Sequence, residues 1–383
     1  MKRILFASWY AGLGGGETDL LTLAGSLKAS NYECHLLLPA DGQLSEIWRG
    51  TVGPVHVIPF RGATTFFVPA VWARFPVVKR FARLLRQERI ELAHCDYHSL
   101  PMIAPAAQLA GAALIFTLWG WWFKPKPWQR QFFRDIPKTV ARSAAIRDGY
   151  LGQPPFMPIE NVPVIYPGVD TDRFHPELDG SVLRDELGIA HDAPLVVMVA
   201  RFQRVKGHHR FQALAEAVAK QHPEARFIVA GDNVFGVAAD GRYRDQIMKM
   251  ASASDALRER LRYIGFRDDV ENIYAAADVV VCPSDFESFG KANLEAMACG
   301  KPIVSTSRGG PAETVRQGET GFLIDPDDIA GFSRAVTRLL ADASLRESMG
   351  RAGRGRVCER FSMDSATEAY ARIIEDVLRP NSP

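Results

Sequence analysis

Short apolar runs alternate with longer stretches in which apolar positions recur at helical spacing, and the alternation continues along the whole chain. Repeated strand and amphipathic-helix units of this kind predict an α/β fold, with parallel sheets covered by helices on both faces. The first series predicts strands at 3–8, 35–38, 56–58, 92–95, 114–118 and 162–165. The pattern restarts after residue 190, with strands at 194–200, 226–230, 262–264, 279–282 and 302–305. Between the two series, 175–193 is polar and carries Pro176, Gly180 and Gly188, which marks a linker. An amphipathic stretch at 363–378 predicts a final helix, and only 379–383 read as frayed.

Composition adds scale. At 383 residues the chain holds about two domains, each able to bury its own core. Lys plus Arg number 46 against 44 Asp plus Glu, which argues against a dedicated nucleic-acid binder. The charge is uneven, however: residues 1–160 carry 18 basic and 11 acidic side chains, a balance of +7, and the remainder carries 28 and 33, a balance of −5. All seven tryptophans also fall in the first half, so the two domains are expected to meet different partners. Cys34, Cys95, Cys282, Cys299 and Cys358 are scattered without CxxC or zinc spacing, as expected of reduced thiols in a cytoplasmic protein. The apolar start runs at once into Gly12 and Gly14-Gly15-Gly16 and reads as a first strand, not a signal peptide; no window is long and apolar enough to span a membrane.

Three segments carry candidate chemistry. Gly12-Leu-Gly14-Gly15-Gly16-Glu17-Thr18 lies between a strand and a helix expected at 19–27, where glycines admit a ligand to the backbone and a helix N-terminus attracts an anion. The dinucleotide pattern GxGxxG fails there, because Glu17 or Asp19 occupies the third glycine position. That counts against an NAD-dependent oxidoreductase, and a tight turn remains the alternative. Arg201 and Lys206, in ARFQRVKG, follow a central strand and could neutralise a diphosphate. In the third segment Glu287 sits in a loop, Gly290 permits close approach, and Glu295 lies a turn into a helix beginning near Lys291. Carboxylates so placed can accept hydrogen bonds from sugar hydroxyls while the helix N–H groups hold a phosphate.

The stretch 283–310, PSDFESFGKANLEAMACGKPIVSTSRGG, resembles the Glu-x7-Glu signature of retaining GT-B glycosyltransferases of family 4. YPGVDTDRF is similar to that family's hinge segment, ARFQRVKG to its donor loop, and YIGFRDDVENIYAAADVVVCPS to its base-binding loop and following strand. The resemblance implies two Rossmann-like domains facing across a cleft, an acceptor domain at 1–175 and a nucleotide-sugar domain at 176–362, with 363–383 crossing back to the first. It implies transfer of a hexose-type sugar from a UDP- or GDP-sugar to a glycan or lipid-linked acceptor in polysaccharide or lipopolysaccharide assembly, without metal or other cofactor. Residue by residue, it implies that Arg201 and Lys206 hold the diphosphate, Glu287 the donor sugar and Glu295 the ribose. Gly265, Phe266 and Arg267 would line the base, and Phe289, Gly290, Lys291 and Ala292 would meet sugar or phosphate, with Gly14 and Gly15 approaching from the other domain.

Trp119 stands where family members usually carry a histidine, which leaves a catalytically silent binding scaffold as an alternative. His94, His98 and Trp119 are candidates for acceptor contacts, with a structural role for the histidines equally open. Asp170-Thr-Asp172 and Asp325-Pro-Asp327 imitate a metal motif of another transferase fold and are expected to be turn residues. Finally, 119–138 interleaves aromatics with Lys and Arg, and 76–88 sets Val78, Phe81, Leu84 and Leu85 against Lys79, Arg80, Arg83 and Arg86. Both suit an anionic membrane surface on the cytoplasmic side, and equally a core-facing helix beside a tryptophan-lined pocket.

Overall fold

The computed structural model describes residues 1–62, 75–120, 123–233 and 237–379, so Trp72, Trp121 and Trp122 lie outside the described residues. It divides into two compact units, Met1–Gly168 with Met363–Pro383, and Val169–Ser362.

In the first unit β1 (Lys2–Ala7), β2 (Tyr32–Leu38), β3 (Val55–Val57), β4 (Leu92–Cys95), β5 (Ala113–Leu118) and β6 (Lys138–Ala141) form one sheet in the order β3-β2-β1-β4-β5-β6. Every pairing is parallel. The helices described are α1 (Gly15–Ala29), α2 (Gln43–Thr51), α3 (Pro76–Gln87), α4 (Leu100–Ala110), α5 (Arg130–Arg134) and α6 (Ala144–Leu151). Strand residues alternate between two cores. Leu5, Leu37, Ala93 and Phe116 meet α3 and α4, whereas Ile4, Phe6, Leu36 and Ile115 meet Leu20, Leu23 and Leu27 of α1, together with Tyr370 and Ile374 of the final helix.

The second unit repeats the plan. Its strands are β7 (Leu195–Val199), β8 (Arg226–Ala230), β9 (Leu261–Tyr263), β10 (Val279–Cys282), β11 (Ile303–Thr306) and β12 (Gly321–Ile324), in the order β12-β11-β10-β7-β8-β9. Around them run α7 (Ser181–Glu186), α8 (His208–Ala219), α9 (Ala238–Ala253), α10 (Val270–Ala276), α11 (Lys291–Ala298), α12 (Pro311–Thr314), α13 (Ile329–Ala341) and α14 (Ala343–Arg360). Both sheets have the doubly wound strand order, whose direction reverses between β1 and β4 and between β7 and β10. In such sheets, ligands bind beyond the carboxyl ends of the strands at the reversal.

Several expectations need correction. The sixth strand of the first sheet is β6, and 162–165 contributes only an isolated bridge from Val164 to Ala141. β12 carries no counterpart in the expected series, and α1 starts at Gly15, not 19. The stretch 175–193 is no free linker: its Arg184 is buried and donates to the carbonyls of Ala276 and Ala193 and to Asp278, pinning α7 to the second unit. The first division falls at Gly168–Val169 rather than after residue 175, the second at Ser362–Met363 as expected, and Val169 bridges Ser362. The final helix α15 (Met363–Leu378) packs in the first unit, where Tyr32 donates to Glu375 at 2.9 Å.

The apolar stripe of α3 is spent in the core: Val78, Phe81, Leu84 and Leu85 are all buried. At about 1.5–3 kcal/mol for each fully buried side chain, it contributes roughly 6–12 kcal/mol to the first unit as an upper estimate. It cannot also insert into a membrane. Phe123 and Phe133 likewise pack with Tyr97 and Tyr150, whereas Trp128 remains exposed. Among the described residues, no helix is long and apolar enough to cross a membrane.

Candidate functional site

The strand order points to the ends of β7 and β10, and there a half-buried lysine meets a buried carboxylate. Lys206, in the loop after β7, donates to Glu287 Oε1 at 2.6 Å. Glu287, beyond β10, also accepts from Ser284 Oγ at 2.7 Å and from Cys282 Sγ at 3.6 Å. Its residue exposure is only 7%. Burial by itself would raise this carboxyl, but the Lys206 charge and the three hydrogen bonds outweigh it and hold the group below the ordinary carboxylate range. Glu287 is therefore an anion at neutral pH, and Lys206 is the cation that keeps it so.

Backbone contacts fix this carboxylate in place. The Asp285 amide donates to the Val205 carbonyl at 2.7 Å, tying the two loops together. Glu287 N donates to the Arg308 carbonyl at 3.2 Å, and Gly310 N to the Glu287 carbonyl at 2.9 Å. Between them Gly309 has φ +91°, and a Cβ there would collide with the Glu287 carbonyl oxygen. Only glycine satisfies both the dihedral and the approach.

Two helices begin at these loops, α8 after Gly207 and α11 after Gly290, so their N-terminal dipole ends and first-turn N–H groups accompany Lys206 and Arg201. Gly290 has φ +84°, the left-handed cap that lets α11 start abruptly after Phe289. Phe289 is buried and faces Phe361, while Lys291 and Ala292 open the helix and are half-buried. Glu295, one turn on, accepts from Tyr274 Oη at 3.1 Å. Tyr274 is buried, and burial followed by the Glu295 charge pushes its hydroxyl well above the usual range, so it stays a donor. Asn293 is buried in the same turn and donates to Ser305 Oγ at 2.8 Å.

The loop after β9 is held rather than free. Gly265 accepts from the Gly231 amide at 2.7 Å, and Arg267 forks between Asp269 and Glu186. Those hydrogen bonds push the guanidinium pKa up and hold Asp269 down at about 2. Arg267 is thus occupied within the unit, and Phe266, 53% exposed, is the side chain the loop presents. Both Asp-x-Asp sequences shape turns: Asp170 accepts from the amides of Asp172 and Arg173, and Asp325 from the amide of Asp327.

In the first unit, Gly14 caps α1, its amide donating to Glu17 at 3.1 Å, and nothing lies near Gly15 where a Cβ would stand. Trp119, at the end of β5, comes close to Gly16. The Arg142 guanidinium lies 5.1 Å from the Trp119 ring centroid and pairs with Asp19 of α1. Arg142 also donates to Tyr370 Oη at 3.1 Å, and Tyr370 and His94 both meet Thr117 Oγ1, at 3.3 and 2.7 Å. His94 is only 3% exposed, with its pKa lowered to about 3 by burial and then by Arg142. As placed, this neutral imidazole offers an acceptor no exposed edge and belongs to the core. His98 is half-buried between Trp9, at 4.5 Å, and Tyr97, at 5.2 Å.

The Glycosyl transferases group 1 model matches residues 181–356, and the Glycosyltransferase Family 4 model matches 13–173. The chain belongs to the family 4, group 1 glycosyltransferases. It is 36% identical over 194 residues, 51% of this chain and 53% of the other, to the lipopolysaccharide core biosynthesis glycosyltransferase LpsE of Rhizobium meliloti (strain 1021). The chain spans about half the length of the curated relatives it matches. A glycosyltransferase from Rickettsia africae ESF-5 superposes with a TM-score of 0.86 at 20% identity, covering 100% of this chain and 99% of that one. Anabaena Alr3699/HepE, solved with UDP and glucose, gives 0.81 at 24% identity, covering 98% and 100%. These likenesses establish the GT-B fold for this family member. Motif reading had found Lys206 and Glu287 but not their pairing, nor Ser284, Cys282 and Tyr274, which hold the two glutamates.

Proposed function

We propose that this chain is a retaining, metal-independent glycosyltransferase that moves a hexose-type sugar from a nucleoside-diphosphate sugar, UDP- or GDP-linked, to a glycan or lipid-linked acceptor in polysaccharide or lipopolysaccharide assembly. The observation that carries the reading is the ion pair of half-buried Lys206 with buried Glu287 at the β7–β10 reversal, flanked by two helix N-termini. Lys206 and Arg201 would hold the diphosphate, whose negative charge grows as the anomeric C–O bond breaks. Glu287, anionic and rigid, would accept from a sugar hydroxyl, and Glu295 from the ribose. Phe266 would lie against the base, and the backbone of Gly290 to Ala292 against sugar or phosphate. A leaving-phosphate oxygen on the attacked face would take the acceptor's proton, so no separate base is needed. A UDP-sugar is the first donor to test, since the HepE structure holds UDP.

Acceptor binding is assigned to the first unit, with Trp119, His98, Gly14 and Gly15 as its candidates. Lys79, Arg80 and Arg83 are exposed along α3, beyond its buried apolar stripe. They suit peripheral, charge-driven contact with an anionic membrane on the cytoplasmic side, without insertion. The decisive test is hydrolysis and transfer of labelled UDP- and GDP-sugars by the Glu287→Gln variant. Turnover lost with folding intact supports the assignment, and undiminished turnover removes Glu287 from the site.

A further inference from the structure

The first unit holds a second cluster of ionisable groups, on positions that none of the candidate site residues occupies. On β2 the alternation that sends Leu37 into the core under α3 turns His35 to the same face. There His35 Nδ1 lies 3.0 Å from Nε2 of His56 on the neighbouring strand β3, the rings nearly parallel at 5°. Glu88, at the C-terminal cap of α3, completes a group whose ligand atoms all lie within 4.8 Å of one another. His35 is 1% exposed, while His56 and Glu88 are half-buried and so reachable from solvent.

The tautomer follows from a fourth residue. His35 Nε2 faces Glu33 Oε1 at 3.2 Å, and a carboxylate only accepts, so the His35 proton sits on Nε2. The lone pair on Nδ1 is thereby aimed at His56. A carboxylate behind a histidine is the arrangement that orients imidazole ligands on zinc. Glu33 is itself fixed by Arg3 Nε at 2.8 Å, which cancels that arginine's charge and leaves Glu88 as the excess negative group. Among the described residues, no donor meets the Glu88 carboxylate. The C-terminal end of α3 also brings the negative end of its dipole.

We propose that His35 Nδ1, His56 Nε2 and the Glu88 carboxylate bind a zinc ion, with Glu33 orienting His35 and water in the fourth position. Tetrahedral ligands about 2.0–2.1 Å from zinc stand roughly 3.3 Å apart, so the observed spacing needs shifts of only tenths of an ångström between the imidazoles and a modest approach of Glu88. The ion would clamp β2, the edge strand β3 and the end of α3, a structural role separate from sugar transfer.

The test is cobalt(II) titration of the chelator-stripped full chain near neutral pH, followed by zinc displacement and thermal unfolding with and without zinc. The expected result is about one tetrahedral cobalt per chain, seen as a ligand-field absorption band, displaced by zinc and accompanied by a zinc-dependent rise in Tm. The band should vanish in His56→Gln and in the near-isosteric Glu88→Gln, both checked for folding by circular dichroism. It should persist in His222→Gln, which removes the surface pair with Glu224. Absence of the band in the native chain would overturn the proposal and leave a plain N–H···N hydrogen bond between the histidines. A band surviving in folded Glu88→Gln and His56→Gln, or lost in His222→Gln, would overturn it equally.

Discussion

Replacing Arg142 by methionine should nearly unfold the first unit, and a second change should rescue it. The Arg142 and Asp19 side chains are 3% and 4% exposed and paired. Removing the cation leaves a carboxylate in the core, which costs about 3–5 kcal/mol. Loss of the stacking over Trp119 and Tyr370, 5.1 and 5.4 Å from the ring centroids, adds about 0.5–2 kcal/mol. The total of roughly 4–7 kcal/mol is comparable with the whole stability of an ordinary domain, about 5–15 kcal/mol. Adding Asp19→Asn removes the stranded charge, so the double variant should recover to within about 2 kcal/mol of the parent. Urea unfolding followed by tryptophan fluorescence reads this unit selectively, because the second unit, Val169–Ser362, contains no tryptophan. A single variant losing under about 1 kcal/mol, or a double variant no better than the single, would refute the reasoning.

Other consequences can be checked separately. Gly309→Ala should abolish sugar transfer while costing about 1–2 kcal/mol or more, since its φ of +91° and the Glu287 carbonyl oppose a side chain; unchanged kinetics would contradict it. His94 and His208 are both buried, with burial the first cause of pKa values depressed from 6.5 to about 3. Each therefore stabilises fully above about pH 6.5, and each loses about 1.4 kcal/mol per pH unit below it as the unfolded chain takes up protons first. A flat urea midpoint between about pH 7 and 5 would show that they are not held neutral. Vesicles of anionic lipid should co-float with the chain at low salt and lose it in high salt, and Lys79→Glu with Arg83→Glu should abolish this; salt-insensitive flotation would point to insertion instead.

Most of the fold was legible in the local pattern, down to the three-residue edge strands β3 and β9. The final helix 363–378 and the helix starting at Lys291 needed no tertiary information. β6 and β12, at the other edge of each sheet, open on Lys138 and Gly321, residue types depleted from strands, and so did not stand out. In the site, Lys206 and Glu287 declared themselves by local spacing, but their ion pair joins loops 81 residues apart and exists only because the sheet sets β7 beside β10. The network of Asp19, Thr117, Arg142 and Tyr370 was invisible for the same reason: it draws single residues from α1, β5, the bend after β6 and α15, and nothing local distinguishes Arg142 from a solvated arginine. The stripe on α3 was seen, but an amphipathic pattern does not say whether its apolar side meets a core or a membrane; burial of Phe81 decides it.

The central claim is a nucleoside-diphosphate-sugar site built on Lys206 and Glu287. Thermal unfolding with UDP, GDP, ADP and NAD, each with and without EDTA, tests it most directly, in the native chain and in Lys206→Met. A nucleotide at a hundred times its Kd adds about 2.7 kcal/mol to the state that binds it. One nucleoside diphosphate should raise Tm by an increment that EDTA leaves unchanged and that Lys206→Met removes. A rise with NAD alone, or a nucleotide-dependent rise that persists in folded Lys206→Met, would contradict the account.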